Sequence, residues 1–73
     1  MDNLSKVITV SINGEPRQIP ANSTVATLID QLGQTGKRIA LERNGEIVAR
    51  STFATQHLSE GDRLEIVVAV GGG

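Results

Sequence analysis

The residues best suited to chemistry lie at the end of the sequence, where the apolar stretch EIVVAV is followed by Gly71, Gly72 and Gly73. Glycine has no Cβ, so a glycine tail fits through a slot that is too narrow for any other residue. A terminal carboxylate on Gly73 would be ionised at neutral pH, because its ordinary pKa is about 3.3 to 3.7. We expect Gly71 and Gly72 to thread the active site of a partner enzyme, where this carboxylate attacks the α-phosphate of ATP and forms an acyl-adenylate. An inert, flexible end is the alternative interpretation.

Other residues capable of chemistry do not form a recognisable site. His57 is the only histidine, and as a general base it would need a nucleophile and an orienting carboxylate. Ser59 and Asp62 are close in sequence, but this composition is ordinary for a loop. Glu60 and Asp62 alone are too few oxygen ligands for calcium or magnesium, so we expect them to cap a turn. We expect Asp30 to be solvated on a helix. The sequence predicts no catalytic residues, no metal site and no bound cofactor.

The amino-acid composition argues against several classes of protein. Seven basic and eight acidic side chains give a net charge of −1, and Phe53 is the only aromatic residue. Such a chain lacks the basic patch and the stacking surface that nucleic acids need, and it lacks the positive charge that attracts anionic membranes. It has no cysteine, which suits a reducing compartment. Its polar start lacks the features of a signal peptide, and no apolar run approaches the ~20 residues that span a bilayer. We therefore predict a cytoplasmic protein.

The first half of the sequence predicts a hairpin and a helix. Apolar and polar residues alternate over residues 6–12, and Asn13-Gly14 is typical of a type I′ turn into a second strand through residues 17–19. Pro16 belongs at the start of that strand or on an edge, because it has no N–H. Ser23 or Thr24 is predicted to cap a helix whose inward face carries Val25, Leu28, Ile29 and Leu32. We expect the helix to stop at Gly33.

The second half predicts three more strands. Residues 38–43 form the third strand, a second Asn-Gly turn leads into a fourth at residues 46–49, and residues 63–68 form the last. Phe53 is expected to close one end of the core above an irregular or single-turn segment. In the last strand Leu64, Ile66 and Val68 face inward, whereas Val67 points away from the helix. We expect Val67 to join Ala40 and Ala69 in a small apolar docking surface for the partner.

This order of elements predicts an α+β fold with a mixed sheet and one helix packed across one face, in which the first and last strands are central neighbours. It is the order of the β-grasp, or ubiquitin-like, fold. At 73 residues the chain is long enough for one domain. We assign residues 1–70 to the β-grasp domain and residues 71–73 to a flexible glycine tail.

The whole chain resembles the ThiS-type sulfur carrier proteins of thiamine biosynthesis. The resemblance lies in the segments INGEPRQI, TVATLIDQLG, IALERNGEIVARSTF and LSEGDRLEIVVAVGGG. It implies that an E1-like adenylyltransferase of the ThiF type adenylates Gly73 and consumes ATP, and that a sulfur donor protein then replaces one carboxylate oxygen with sulfur. The resulting thiocarboxylate would deliver sulfur to a ThiG-type thiazole synthase. The extra N-terminal residues and the third glycine, Gly71, depart from the family pattern but remove no chemical group.

Three other functions are compatible with the sequence. The small subunit of molybdopterin synthase, which the chain resembles more distantly, uses the same terminal chemistry with a different acceptor. A ubiquitin-like modifier would instead join its carboxylate to a lysine of another protein. A plain interaction module would have an inert tail.

Overall fold

A five-stranded mixed sheet, with the strand order β2-β1-β5-β3-β4, forms the body of the computed structural model. The model describes residues 6–69. The elements, in chain order, are β1 (Val7–Ile12), β2 (Glu15–Pro20), α1 (Val25–Gln31), β3 (Ile39–Arg43), β4 (Glu46–Ile47), a 3₁₀ turn (Arg50–Thr52) and β5 (Arg63–Val68). β1 and β5 pair in parallel, and the other neighbouring strands are antiparallel. The predicted adjacency of the first and last strands is confirmed.

Both Asn-Gly pairs form the tight turns that the sequence predicts. The φ angles are +51° and +89° at Asn13 and Gly14, and +53° and +88° at Asn44 and Gly45. A type I′ turn requires positive φ at both central residues, and asparagine and glycine tolerate it best. Pro16 lies in β2, which is an edge strand of the sheet, so its missing N–H breaks no central ladder.

The helix begins at a well-formed cap. Thr24 is the N-cap: its Oγ1 accepts a hydrogen bond from the Thr27 N–H at 3.2 Å, and Thr27 Oγ1 accepts one from the Thr24 N–H at 2.8 Å. This reciprocal pair satisfies two N–H groups that a bare helix end leaves free. The helix has seven residues and ends before Gly33, whose φ of +74° is the predicted left-handed stop.

The core lies between the helix and one face of the sheet. Those of its side chains that lie in the strands and the helix follow the predicted alternation and helical spacing. Within residues 6–69, the buried apolar side chains are Val10, Ile19, Val25, Leu28, Ile29, Ile39, Leu41, Leu58 and Leu64. Leu32 and Phe53 pack against this cluster half-buried. The single-turn segment predicted around Phe53 is present as the 3₁₀ turn that precedes it.

The fourth strand is shorter than predicted. It covers Glu46–Ile47 instead of residues 46–49. The Val48 N–H still donates to the Leu41 carbonyl at 2.9 Å, but Ala49 is the N-cap of the 3₁₀ turn, so the chain leaves the sheet there. The prediction was wrong because Val48 and Ala49 are apolar and fit the strand pattern, whereas in the structure the chain turns at Ala49 into the 3₁₀ turn.

Candidate functional site

The predicted reactive residues Gly71, Gly72 and Gly73 lie outside the described residues. The structure does show the strand that leads to them. β5 lies between β1 and β3, and the Ala69 N–H just after it still donates to the Arg38 carbonyl at 2.9 Å. The chain is therefore held to the sheet as far as Ala69, two positions before Gly71.

The three predicted docking residues lie together on the face of the sheet away from the helix. Val67 of β5 is directly opposite Ala40 of β3, and its side chain is 64% exposed. Ala40 is exposed, as is Ala69, which follows Val67 by two residues. The structure thus confirms that Val67 points away from the core, and the docking role remains a prediction.

A second row of side chains lies beside these residues. Glu65 is directly opposite Glu42, and Glu42 is directly opposite Ile47 on the edge strand β4. Ile47 is 79% exposed. Sequence reasoning did not select these residues for a site, although the period-2 pattern that placed Val67 on the open face places Glu65 and Glu42 there as well.

The asparagines of the two tight turns hold β5 from both sides. The Ile66 N–H donates to Asn13 Oδ1 at 2.8 Å, and Asn13 Nδ2 donates to the Ile66 carbonyl at 3.1 Å. On the other side, the Arg63 N–H donates to Asn44 Oδ1 at 2.8 Å. β1 pairs with β5 only as far as Leu64, so the Asn13 side chain extends the ladder towards the tail.

Asp62 is a buried carboxylate that ties two loops together. It accepts hydrogen bonds from Arg43 Nε at 2.8 Å, from Asn44 Nδ2 at 3.1 Å and from the Ser59 N–H at 2.8 Å. Its side chain is 7% exposed. Burial by itself raises the pKa of Asp62, but the bonds from Arg43, Ser59 and Asn44 outweigh it, so the pKa lies below its ordinary value of 3.8.

The other candidate residues have structural partners. The bond from the Ser59 N–H makes Asp62 the turn cap that the sequence predicts, and the same carboxylate is occupied by Arg43 and Asn44. Glu60 Oε1 accepts from the Thr9 N–H at 3.0 Å. His57 is exposed and forms a backbone bridge to Thr24 beside the helix start.

Asp30 is also exposed, and its Oδ1 accepts a hydrogen bond from Thr35 Oγ1 at 3.0 Å. Within residues 6–69, no group of three or more His, Cys, Asp or Glu side chains is placed to hold a metal ion. In the same range, no helix combines the length and the apolar character needed to cross a membrane.

Comparison with known proteins identifies the family. The model of the ThiS family matches residues 10–73. The chain belongs to the ThiS family. A crystal structure of the thiamine biosynthesis protein ThiS from Geobacter metallireducens superposes with a TM-score of 0.75 at 26% identity, covering 90% of this chain and 100% of that one. The resemblance stated from the sequence and the β-grasp fold are both confirmed.

The relatives of this chain differ in length. A thiazole synthase of Paramagnetospirillum magneticum is 47% identical over 62 residues, which are 85% of this chain but 19% of that protein. The chain therefore spans about a fifth of the length of the thiazole synthases it matches. The protein ycf40 of Porphyra purpurea is 31% identical over 70 residues and is covered over 99% of its length.

Proposed function

We propose that this ThiS-family domain is a sulfur carrier whose reactive group is a carboxylate at Gly73. The observation that carries the proposal is the family match, which runs through the glycine tail to residue 73. The geometry supports it, because β5 is paired on both sides and leads from the centre of the sheet to this tail. In this proposal the folded domain is the part that partner enzymes bind, and the chemistry takes place in their active sites.

The proposed reaction has two steps. A carboxylate oxygen of Gly73 attacks the α-phosphorus of ATP in an E1-like adenylating enzyme of the ThiF type, and pyrophosphate leaves. A sulfur donor then supplies a hydrosulfide equivalent, which attacks the acyl carbon. The carbon–oxygen bond to AMP breaks, and a thiocarboxylate is left on Gly73. The domain itself is the substrate of this activation and needs no bound cofactor.

Thiazole formation is the proposed destination of the sulfur. Relatives that share 47% and 38% identity with this chain carry the name thiazole synthase and contain the matched segment within a longer protein. We therefore propose a ThiG-type thiazole synthase as the acceptor. Val67, Ala40 and Ala69 are the proposed apolar contacts with a partner, since they are exposed next to the start of the tail.

Intact mass spectrometry tests the proposal. The protein ending at Gly73 is incubated with ATP, the adenylating enzyme and a sulfur donor. We expect an adenylate and then a mass increase that corresponds to the exchange of one oxygen for sulfur. Both products should disappear when Gly73 is deleted or extended by a C-terminal tag. A tagged, untrimmed chain that still supports thiazole formation would contradict the proposal, and conjugates to lysines of other proteins would indicate a modifier instead.

A further inference from the structure

Two carboxylates face each other on the open face of the sheet. Glu65 of β5 and Glu42 of β3 are directly opposed in the antiparallel register, and both are exposed. Like charges in directly opposed positions destabilise a sheet. Within residues 6–69, the only ion pair with nitrogen and oxygen within 4.0 Å joins Arg43 to Asp62, so neither Glu42 nor Glu65 forms an ion pair with that part of the chain.

Exposed apolar side chains border this pair on two sides. Ile47, which is 79% exposed, lies opposite Glu42 on β4. Val67, which is 64% exposed, follows Glu65 on β5 and lies opposite Ala40. Among residues 6–69, Val7 is the only other large hydrophobic side chain with comparable exposure. The free chain therefore carries both charge repulsion and exposed apolar area at one place.

We infer that this acidic–apolar patch, made of Glu42, Glu65, Ile47, Val67 and Ala40, docks an arginine of the adenylating enzyme between its two carboxylates. The inference rests on the proposed function. A guanidinium group is planar, carries five N–H donors and can bind two carboxylates at once. Its weakly hydrated faces also pack against apolar side chains, which Ile47 and Val67 provide.

Two further observations favour this occupant. Glu65 and Val67 lie on β5, the last strand before the tail in the sequence, so an enzyme that docks on the patch contacts the element that precedes the residues it would adenylate. A second copy of the chain is a poor occupant, because a twofold contact places the same patch on both sides and brings four carboxylates together. Arg63 lines the same surface recess as Glu42 and Glu65, but within residues 6–69 it forms no ion pair with either, so both carboxylates remain available to an arginine of the enzyme.

Replacement of either glutamate of the patch should stabilise the free protein and weaken its binding to the enzyme. Replacing Glu65 or Glu42 by glutamine removes the repulsion in the free protein, so the melting temperature should rise by about 1 to 5 °C. The same change removes a charged contact with the enzyme, so the dissociation constant should increase about tenfold. Glu65→Lys should extend both effects, because it places opposite charges across the strands and repels the arginine.

Calorimetric titration of the full-length protein into the adenylating enzyme, at low and at moderate salt, provides the measurement. The control is Glu15→Gln, which removes one charge from the far edge strand β2 and should change the dissociation constant by less than about twofold. The salt dependence of binding should weaken in the Glu65 and Glu42 variants and persist in the control.

The outcomes separate this inference from the proposed function. Unchanged affinity of the Glu65 and Glu42 variants, with normal adenylation of the wild type, would overturn the patch and leave the carrier intact. Weaker binding by these variants without adenylation of the wild type would support the patch and contradict the carrier chemistry. A wild-type dimer in sedimentation that dissociates on Ile47→Asp, which removes an exposed apolar side chain and adds a further carboxylate to each copy, would assign the patch to a second copy and overturn the inference.

Discussion

Asp62 joins two turns that are distant in sequence. Its partners Arg43, at the end of β3, and Asn44, in the turn between β3 and β4, lie 19 and 18 residues away. The sequence predicts that Asp62 caps its own turn, which the Ser59 bond confirms. It could not predict the ion pair, because that contact depends on the register that brings the end of β3 beside the start of β5.

Replacing Asp62 by asparagine should lower the free energy of unfolding by about 1 to 3 kcal/mol, because the charge-assisted bond from Arg43 is lost within a buried site. Urea unfolding at pH 7 measures this change. Asp30→Asn is the matched control, since Asp30 is exposed and has one hydroxyl partner. Equal loss in the two variants would show that burial and the ion pair contribute nothing at Asp62.

The low pKa of Asp62 also predicts how stability depends on pH. A carboxyl group whose pKa is lower in the folded state releases its proton more readily there than in the unfolded chain. Its contribution to stability is therefore fully present above the unfolded pKa of about 3.8 and is lost as the pH falls through the folded pKa. Urea midpoints of the wild type and Asp62→Asn should converge between pH 5 and pH 2. Parallel curves would contradict the assignment.

At the scale of elements, the two Asn-Gly turns do more than reverse the chain. The dipeptides and their spacing predict the hairpins, and the positive φ angles confirm them. The sequence does not reveal that each asparagine side chain also bonds to β5. Glycine would satisfy the φ requirement equally well, so the presence of asparagine at position 13 is explained by its two bonds to Ile66.

Asn13→Gly should keep the turn but free the Ile66 N–H and carbonyl. The free energy of unfolding should fall by about 1 to 2 kcal/mol, because two exposed hydrogen bonds are lost. Hydrogen exchange should accelerate at the Ile66 amide more than at Val10 in the core. Asn13→Asp keeps the acceptor and loses the donor, so its effect should be intermediate. Uniform acceleration at both amides would indicate global destabilisation without a specific role for the side chain.

The sequence predicts the part of the site that depends on the local pattern of one strand, but not the part that depends on how distant strands pair. Alternation along β5 predicts that Val67 is exposed, and the structure confirms it. The pairing of Glu65 with Glu42 depends on the register between two strands, β3 and β5, that are not consecutive in the sequence. A shift of that register by one residue would move each set of side chains to the opposite face, so the acidic–apolar patch became visible only with the fold.

At the scale of the whole molecule, the proposed function divides the chain into a body that docks and a tail that reacts. Within residues 6–69, the body has a small core of nine buried apolar side chains. A domain of this size is stabilised by roughly 4 to 11 kcal/mol in total, and that stability resides in the packed sheet and helix. Under the proposed function, the carrier chemistry depends by contrast on the absence of side chains at Gly71, Gly72 and Gly73. Changes in the body and in the tail should therefore have separable effects.

A pair of variants tests this separation. Ile19→Val removes one buried methylene and should lower the free energy of unfolding by about 0.5 to 1.5 kcal/mol, while thiocarboxylate formation at 25 °C stays unchanged because the body remains folded. Gly72→Val should leave the melting temperature unchanged and abolish adenylation, because a branched side chain blocks a slot that admits glycine. Gly72→Ala, with a single methyl group, should fall between. Wild-type rates of adenylation in Gly72→Val would show that the tail is not threaded through a narrow site.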